Sequence, residues 1–292
     1  MKMLLGILAS AMVWGADGGA VRLKVAAVQF RSSAVVSENQ KRMVDILARL
    51  SQDGVNVAAF PECALTGYDK DTLTPASAAE LAEAEEGIRR ACRAGKIAAV
   101  VGSIYKVNGR AYNTAVVFDS RGEQVERYAK MYLAGEKWAT PGNHIAWFDL
   151  EGVSSTVIVC HDERYPELVR LPAMQGARMI YYISHESGMA TESKLKPYRA
   201  QMMARAVENH MFVVAANAPG DVKNNRGSHG QSRILRDDGN ILKEASFYSE
   251  EILIETLSIK PGKLTRPLEG PMAEWWRQGV EWMLKNRHRP LD

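Results

Sequence analysis

Short, β-branched apolar runs alternate with longer amphipathic stretches along most of the chain. Short apolar runs bounded by turn residues predict buried strands, and these lie at 23–30, 56–60, 97–107, 112–118, 153–159, 178–183 and 211–216. Apolar positions that recur every three or four residues predict amphipathic helices, and these lie at 38–50, 77–94, 167–175 and 195–210. Turns at Asn108-Gly109 and Asp238-Gly239 add hairpins to these βαβ-type units. The pattern therefore predicts an α/β fold with a mixed sheet.

Cys160 directly follows the predicted strand 153–159, and Pro166 begins the helix that comes next. Proline suits the first turn of a helix, where its missing N–H costs nothing. A cysteine that faces the positive end of a helix has a lowered pKa, and its thiolate is a nucleophile. The alternative is an inert core cysteine, since free cysteine is among the most buried residue types. Pro172 is expected to kink or interrupt the helix.

Two further segments place an ionisable side chain beside an apolar run. Glu62 follows the predicted strand 56–60 and precedes a turn at Thr66-Gly67-Tyr68, so it is a candidate proton acceptor at a strand tip. Lys130 is the lone cation of the apolar stretch 128–133. The alternatives are a strand-end carboxylate for Glu62 and a lysine that reaches to the surface for Lys130.

In this order, Glu62, Lys130 and Cys160 resemble the Glu–Lys–Cys triad of the nitrilase superfamily, the carbon–nitrogen hydrolases. The resemblance extends over roughly residues 23 to 257. It includes the segments 25–29, 61–68, 111–122, 130–142, 160–168 and 205–217. The chain departs from many relatives at His161 and at Ser184-His185-Glu186-Ser187. Both places are expected to shape the substrate pocket. The resemblance therefore predicts the catalytic triad but does not predict the substrate specificity.

The resemblance implies a four-layer α-β-β-α sandwich with mixed sheets, which usually pairs sheet to sheet in a homodimer or a higher homo-oligomer. It also implies that Glu136 is the second glutamate, which orients Lys130 or the substrate amine; the alternative is a charged loop residue. Tyr68, His161, Arg164 and His185 are the predicted substrate-binding residues. Arg164 would hold a substrate carboxylate or pair with Glu167 inside the protein.

His161 could also be taken for the base of a Cys–His pair. Neighbouring residues of an extended segment point to opposite faces. We therefore do not expect His161 to serve Cys160 as a base.

These residues predict hydrolysis of a non-peptide C–N bond in a small linear amide or N-carbamoyl compound. Glu62 would take the proton of Cys160, and the thiolate would form a thioester that water then hydrolyses. The ammonium of Lys130 and the backbone N–H of His161 would stabilise the oxyanion. The alternatives are a nitrilase, an amide-forming acyltransferase, or a non-catalytic ligand-binding protein on the same fold.

Composition restricts the remaining possibilities. The chain has 292 residues, 46% of them hydrophobic, which suffices for a large core. The net charge of +3 is small and its charges are interspersed, so nucleic acid and anionic membranes are not expected partners. The histidines are scattered without metal-ligand spacing, and we expect neither a metal nor another cofactor. Cys63 and Cys92 are expected to be structural.

The two ends differ from the central residues 21–258. Residues 1–20 combine a positive start with an apolar run and small residues, which predicts a signal peptide, export to the periplasm or medium, and no stable membrane insertion. The alternative is an unprocessed tail on a cytoplasmic protein. Residues 259–292 form a predicted arm with a Trp-rich amphipathic helix at 272–286. We expect this helix to cover the dimer partner; the alternatives are a membrane-surface helix and docking on the chain's own core.

Overall fold

Two mixed six-stranded sheets form the centre of the computed structural model, which describes residues 19–186, 195–221, 226–262 and 273–291. In chain order the strands are β1 (Val21–Gln29), β2 (Val57–Ala59), β3 (Ala98–Val107), β4 (Arg110–Phe118), β5 (Gln124–Ala129), β6 (Phe148–Leu150), β7 (Val153–Val159), β8 (Met179–Ser184), β9 (Phe212–Asn217), β10 (Gly220–Asp221), β11 (Arg226–Gly227), β12 (Arg233–Leu235), β13 (Ile241–Glu244) and β14 (Glu251–Ile259). The helices are α1 (Val36–Gln52), α2 (Ala78–Gly95), α3 (Glu167–Met174), α4 (Leu195–Asn209) and α5 (Ala273–Lys285).

The first sheet has the order β14-β1-β2-β3-β4-β5, and the second has the order β13-β12-β9-β8-β7-β6. Parallel pairs lie at the middle of each sheet and antiparallel pairs at its edges. The expected α/β fold is confirmed. The strands β5, β6 and β14 were not predicted; β5 is largely polar and β6 has only three residues, whereas charged residues flank and divide the apolar positions of β14.

The side chains of each strand point alternately to the two faces of its sheet, and both faces are packed, which gives the four layers. Val25 and Ala27 of β1 pack between the two sheets, whereas Ala26 and Val28 pack outward against α1 and α2. The second sheet repeats this arrangement, with its outer face covered by α3 and α4. Successive residues of a strand point to opposite faces of the sheet. A strand that is apolar at every position therefore has two apolar faces, and both are buried by packing against the other sheet or the helices. The α-β-β-α sandwich is confirmed.

The start of α3 at Glu167 agrees with the prediction, and one local prediction about this helix needs correction. A 3-10 helix at Cys160–Arg164, which was not predicted, lies between Cys160 and α3. Pro172 does not interrupt α3, which runs through it and ends two residues later at Met174. A helix that ends so soon after its proline loses little hydrogen bonding.

The Trp-rich helix α5 docks on the chain's own core. Val280 and Met283 are buried in the cluster that α3 and α4 form with the second sheet, while Trp275 and Trp282 are exposed. The buried side of α5 therefore docks on the chain's own core, as one of the alternatives had it, and the expectation that the arm covers a partner subunit stays a prediction for its exposed side. β14 ends at Ile259, one residue beyond the predicted domain boundary.

The predicted signal peptide falls almost wholly on residues 1–18, outside the described part of the chain, so export stays a prediction. None of the helices within the described ranges is long and apolar enough to cross a bilayer.

We predict that Met283→Ala lowers the free energy of unfolding by about 2–5 kcal/mol, as truncation of a buried methionine does. Chemical denaturation measures this change. Trp282→Ala is the matched control, because Trp282 is 43% exposed, and it should cost much less. If Met283→Ala instead left the monomer's stability unchanged and weakened an oligomer, the docking of α5 on its own chain would be refuted.

Candidate active site

Glu62 lies just beyond β2, where the backbone passes very close to β3. A Cβ on Gly102 would lie 2.0 Å from the Pro61 carbonyl oxygen and 2.7 Å from the Glu62 Cα, so only glycine fits there. Cys63 has a left-handed φ of 50°, which is uncommon for a residue other than glycine. This tight turn directs Glu62 into the protein, and its side chain is fully buried.

The Glu62 carboxylate accepts hydrogen bonds from both sheets. Asn113 of β4 donates its amide to Oε1 at 2.7 Å. The backbone N–H of His185, at the end of β8, donates to Oε2 at 2.8 Å. Lys130 donates its ammonium to Oε1 at 2.8 Å. Glu62 therefore lies at the seam between the two sheets, where partners from both of them hold its carboxylate.

Lys130 follows β5 and is fully buried. Its Nζ lies 2.8 Å from Glu62 Oε1 and 2.5 Å from Glu136 Oε1. Burial favours the neutral amine, but the two carboxylates outweigh burial and raise the pKa of Lys130 well above its usual value. The expectation that Lys130 belongs to the site agrees with this geometry, and the alternative of a surface lysine is wrong.

Glu136 is also held from two further directions. The backbone N–H of Ala134 donates to its Oε2 at 2.6 Å, and the Tyr68 hydroxyl donates to its Oε1 at 3.2 Å. Burial opposes ionisation, but the ammonium of Lys130 lowers the pKa of Glu136 below its ordinary value. Glu136 therefore contacts Lys130 and is buried, so the alternative of an exposed loop residue is wrong.

Cys160 ends β7 with a left-handed φ of 48° and begins the 3-10 helix. Its thiol is half-buried, and burial together with the nearby Glu62 raises its pKa well above the usual value. The expected lowering of the thiol pKa by a helix N-terminus is wrong, because burial and Glu62 outweigh the opposing charge of Lys130. The thiol is therefore protonated at rest.

Asp162 holds the turn that carries Cys160. Its Oδ2 accepts the Tyr128 hydroxyl at 2.8 Å and the Val159 N–H at 3.2 Å, and its Oδ1 accepts the Tyr132 N–H at 2.9 Å. The carboxyl is fully buried, and burial raises the pKa of Asp162 to about 7. Asp162 acts on the site only through the position of the backbone.

Cys160 opens into a pocket of about 330 Å³. The lining residues are Tyr68, Lys70, Leu133, Ala134, Cys160, His161, Glu163, Arg164, His185, Glu186 and Tyr198. Tyr68 and His185 form a stacked pair with ring centres 4.7 Å apart. Burial lowers the pKa of His185 to about 4, so its ring is neutral near pH 7. All four predicted substrate-binding residues line this pocket.

His161 and Arg164 depart from the expectations in detail. His161 lies in the same pocket as Cys160, because the left-handed turn replaces the extended backbone on which the opposite-face argument rested. The structure nevertheless shows no hydrogen bond between the two side chains, and burial and Arg164 lower the pKa of His161. Arg164 is exposed and forms no ion pair with Glu167; its guanidinium carbon lies 5.8 Å from the centre of the Tyr198 ring.

Sequence reasoning missed three residues of the site, Asn113, Glu163 and Tyr198. Asn113 belongs to the segment that resembled the family's central hairpin, but an amide inside a strand gives no signal that it reaches Glu62. Glu163 follows an apolar strand closely, and this position could have marked it. Glu186 belongs to the segment that was expected to shape the substrate pocket, and it lines that pocket. Within the described residues, no group of three or more His, Cys, Asp or Glu side chains is arranged to hold a metal.

Comparison with known proteins agrees with this arrangement. The family model for carbon-nitrogen hydrolase matches residues 24–266. The chain belongs to the carbon–nitrogen hydrolases, within the nitrilase superfamily. The relatives of this carbon–nitrogen hydrolase include 2-oxoglutaramate amidase of Bacillus subtilis, 29% identical over 71% of this chain and 80% of the relative. Omega-amidase NIT2 of Mus musculus is 25% identical over 81% of this chain and 89% of the relative.

A solved structure extends the comparison to the fold. It is a variant of the amidase from Nesterenkonia sp. AN1 in which the acetamide moiety of fluoroacetamide is covalently added at the active-site cysteine. The TM-score is 0.74 at 25% identity, over 90% of this chain and 97% of that chain. The hydrolase fold thus covers most of the chain.

We predict that Gly102→Ala lowers the rate of C–N hydrolysis by roughly a hundredfold, since displacing a catalytic group by about 1 Å has such an effect. The new methyl group must push the Glu62 segment away from β3. Gly152→Ala is the control for an added methyl group, because a Cβ there meets no atom within 4 Å, and it is a demanding one because Gly152, unlike Gly102, has a positive φ of 78°. Equal rates in wild type and Gly102→Ala would refute the tight contact beneath Glu62.

Proposed function

We propose that this chain hydrolyses the C–N bond of a small linear amide or N-carbamoyl compound through a thioester on Cys160. The observation that carries the proposal is the buried Glu62–Lys130–Glu136 network beside the pocket that Cys160 enters. The amidases among the relatives support it, as does the covalent adduct at the active-site cysteine of the Nesterenkonia enzyme.

Glu62 is the general base. The raised pKa of Cys160 keeps the thiol protonated at rest, so attack on the carbonyl carbon requires transfer of that proton. Glu62 Oε1 already accepts two hydrogen bonds, from Asn113 and Lys130, whereas Oε2 accepts one, from the His185 N–H. A carboxylate oxygen can accept two such bonds, so Oε2 has room for the proton.

Lys130 stabilises the tetrahedral intermediate. Its ammonium remains charged because the two carboxylates raise its pKa, and the backbone N–H of His161 follows the nucleophile directly. Donors of this kind are typically worth about 3–4 kcal/mol of barrier each. The buried setting strengthens the attraction to the developing negative charge.

Glu62 then returns its proton to the departing nitrogen, and ammonia or an amine leaves while the thioester remains on Cys160. A water molecule enters, Glu62 takes one of its protons, and the hydroxide adds to the thioester carbon. Collapse of this second intermediate releases the carboxylic acid, or the carbamic acid of an N-carbamoyl compound, and restores the thiol of Cys160. Glu136 keeps Lys130 in place through both steps.

We expect the purified protein to release ammonia from small linear amides or N-carbamoyl compounds and the Cys160→Ala variant to release none above background. Loss of the nucleophile should cost at least about a thousandfold in kcat. A coupled assay over a panel of amides, N-carbamoyl amino acids and nitriles measures this.

Cys92→Ala is the matched control, because Cys92 is a buried thiol on α2 away from the pocket, and it should retain activity. Equal turnover by wild type and Cys160→Ala would refute the thioester. Turnover of nitriles alone would identify a nitrilase in place of an amide hydrolase.

A further inference from the structure

Glu163 lines the Cys160 pocket with a carboxyl group that has no partner in the described residues. The residue is 1% exposed, and neither Oε1 nor Oε2 makes a hydrogen bond within that part of the chain. Its backbone is fixed, since the Glu163 carbonyl accepts from the Arg205 side chain at 3.2 Å. A buried polar group without a partner costs free energy, so a pocket that retains one favours a ligand that supplies the missing bond.

Glu186 is a second carboxyl group on the same pocket. Tyr182 donates its hydroxyl to Oε1 at 2.6 Å. The His229 Nε2 lies 2.7 Å from Oε2, although neither atom completes a hydrogen bond within the described residues. A tyrosine hydroxyl has a single proton, so Tyr182 cannot donate to Glu186 and to Glu163 at once. His229 outweighs burial and lowers the pKa of Glu186, which favours its ionised form.

The two carboxyl groups act on each other and on the nucleophile. Burial and the charge of Glu186 raise the pKa of Glu163 well above its usual value, against smaller opposing effects of Arg233 and Arg164. Both carboxylates also raise the pKa of Cys160, so they lie within electrostatic range of the thiol. Glu163 is thus a neutral acid that can ionise when a positive charge arrives.

The charges at the pocket decide which ligand suits this group. A substrate carboxylate would meet the ionised Glu186 and a proton-bearing Glu163, whereas a cationic nitrogen would be attracted by both. The positive residues on the wall, Arg164 and Lys70, are exposed, so water screens their repulsion. Glu163 and Glu186 belong to no cluster of His, Cys, Asp or Glu side chains that could hold a metal ion within the described residues.

We propose that the acyl part of the substrate carries a protonated amino or guanidino nitrogen, which binds Glu163 and Glu186 on the wall of the Cys160 pocket. On binding, Glu163 releases its proton to solvent, and the resulting carboxylate pairs with the bound cation; no covalent bond changes in this step. The inference rests on the proposed amide hydrolysis and specifies its substrate class.

The test compares three probe series of matched chain length: ω-aminoalkanamides, neutral n-alkanamides and ω-carboxyalkanamides. The wild-type protein should favour the ω-aminoalkanamide in kcat/KM by about tenfold or more, as a charge-assisted hydrogen bond in a buried site would give. Glu163→Gln should bring the ratio of kcat/KM between the ω-aminoalkanamide and the n-alkanamide close to one, so the readout is this ratio within each protein and not the absolute rate.

Two further variants separate binding from structure. Glu163→Leu should also lose the preference, and Glu167→Gln is the control, because Glu167 lies four residues away and does not line this pocket. Three results would overturn the inference. The wild type could show equal kcat/KM for ω-aminoalkanamides and n-alkanamides, or it could prefer ω-carboxyalkanamides. Glu163→Gln could also lose the same factor in kcat/KM on every probe.

Binding to the Cys160→Ala variant separates this inference from the proposed reaction. Calorimetry in buffers of different ionisation enthalpy should show that an ω-aminoalkanamide binds with proton release, and that Glu163→Gln in the same background abolishes the release. Such binding without turnover by the wild type would refute the reaction but support the cation site. Hydrolysis of n-alkanamides with neither amine preference nor proton release would support the reaction and refute the cation site.

Discussion

A fully buried ammonium between two carboxylates is the interaction on which the site depends. Moving a charge from water into a protein costs several kcal/mol per ion, and only close pairing with further hydrogen bonds offsets this cost. Lys130, Glu62 and Glu136 meet that condition, since each carboxylate also accepts a backbone N–H. Removal of Lys130 would leave two buried carboxylates without a counter-charge, and removal of either carboxylate would leave Lys130 held from one side only, so the network positions Lys130 and keeps it charged.

The sandwich supplies the geometry that this network needs. Glu62 and Lys130 come from the ends of two strands of the first sheet, while Cys160 and the His185 N–H come from the ends of two strands of the second. Cys160 and Glu62, the proposed nucleophile and base, therefore meet only when the sheets pack face to face. Cys63 and Cys160 have left-handed backbone conformations, which turn the chain sharply where β2 and β7 end. Left-handed conformations of residues other than glycine are strained, and such strain is found at functional sites.

The sequence was sufficient for most of the fold and for the triad, because both leave local signals. Apolar runs placed the central strands to within one or two residues, and the residues flanking Glu62, Lys130 and Cys160 carried the resemblance. The sequence was insufficient where a property depends on distant neighbours. The pKa of Cys160 is raised because of burial and Glu62, whereas the local pattern of strand and helix predicted that it would be lowered. Similarly, the contact of Asn113 with Glu62 joins residues 51 positions apart, and the docking of α5 on its own chain depends on α3.

The most direct test of the central claim is partitioning of the reaction with hydroxylamine. Amides with one acyl group and different leaving amines are hydrolysed at a fixed hydroxylamine concentration, and the ratio of hydroxamate to acid is measured. A common thioester on Cys160 predicts the same ratio for every leaving amine, because the nitrogen has departed before hydroxylamine or water attacks. A ratio that changes with the leaving amine would contradict the thioester and indicate direct attack of water on the bound amide.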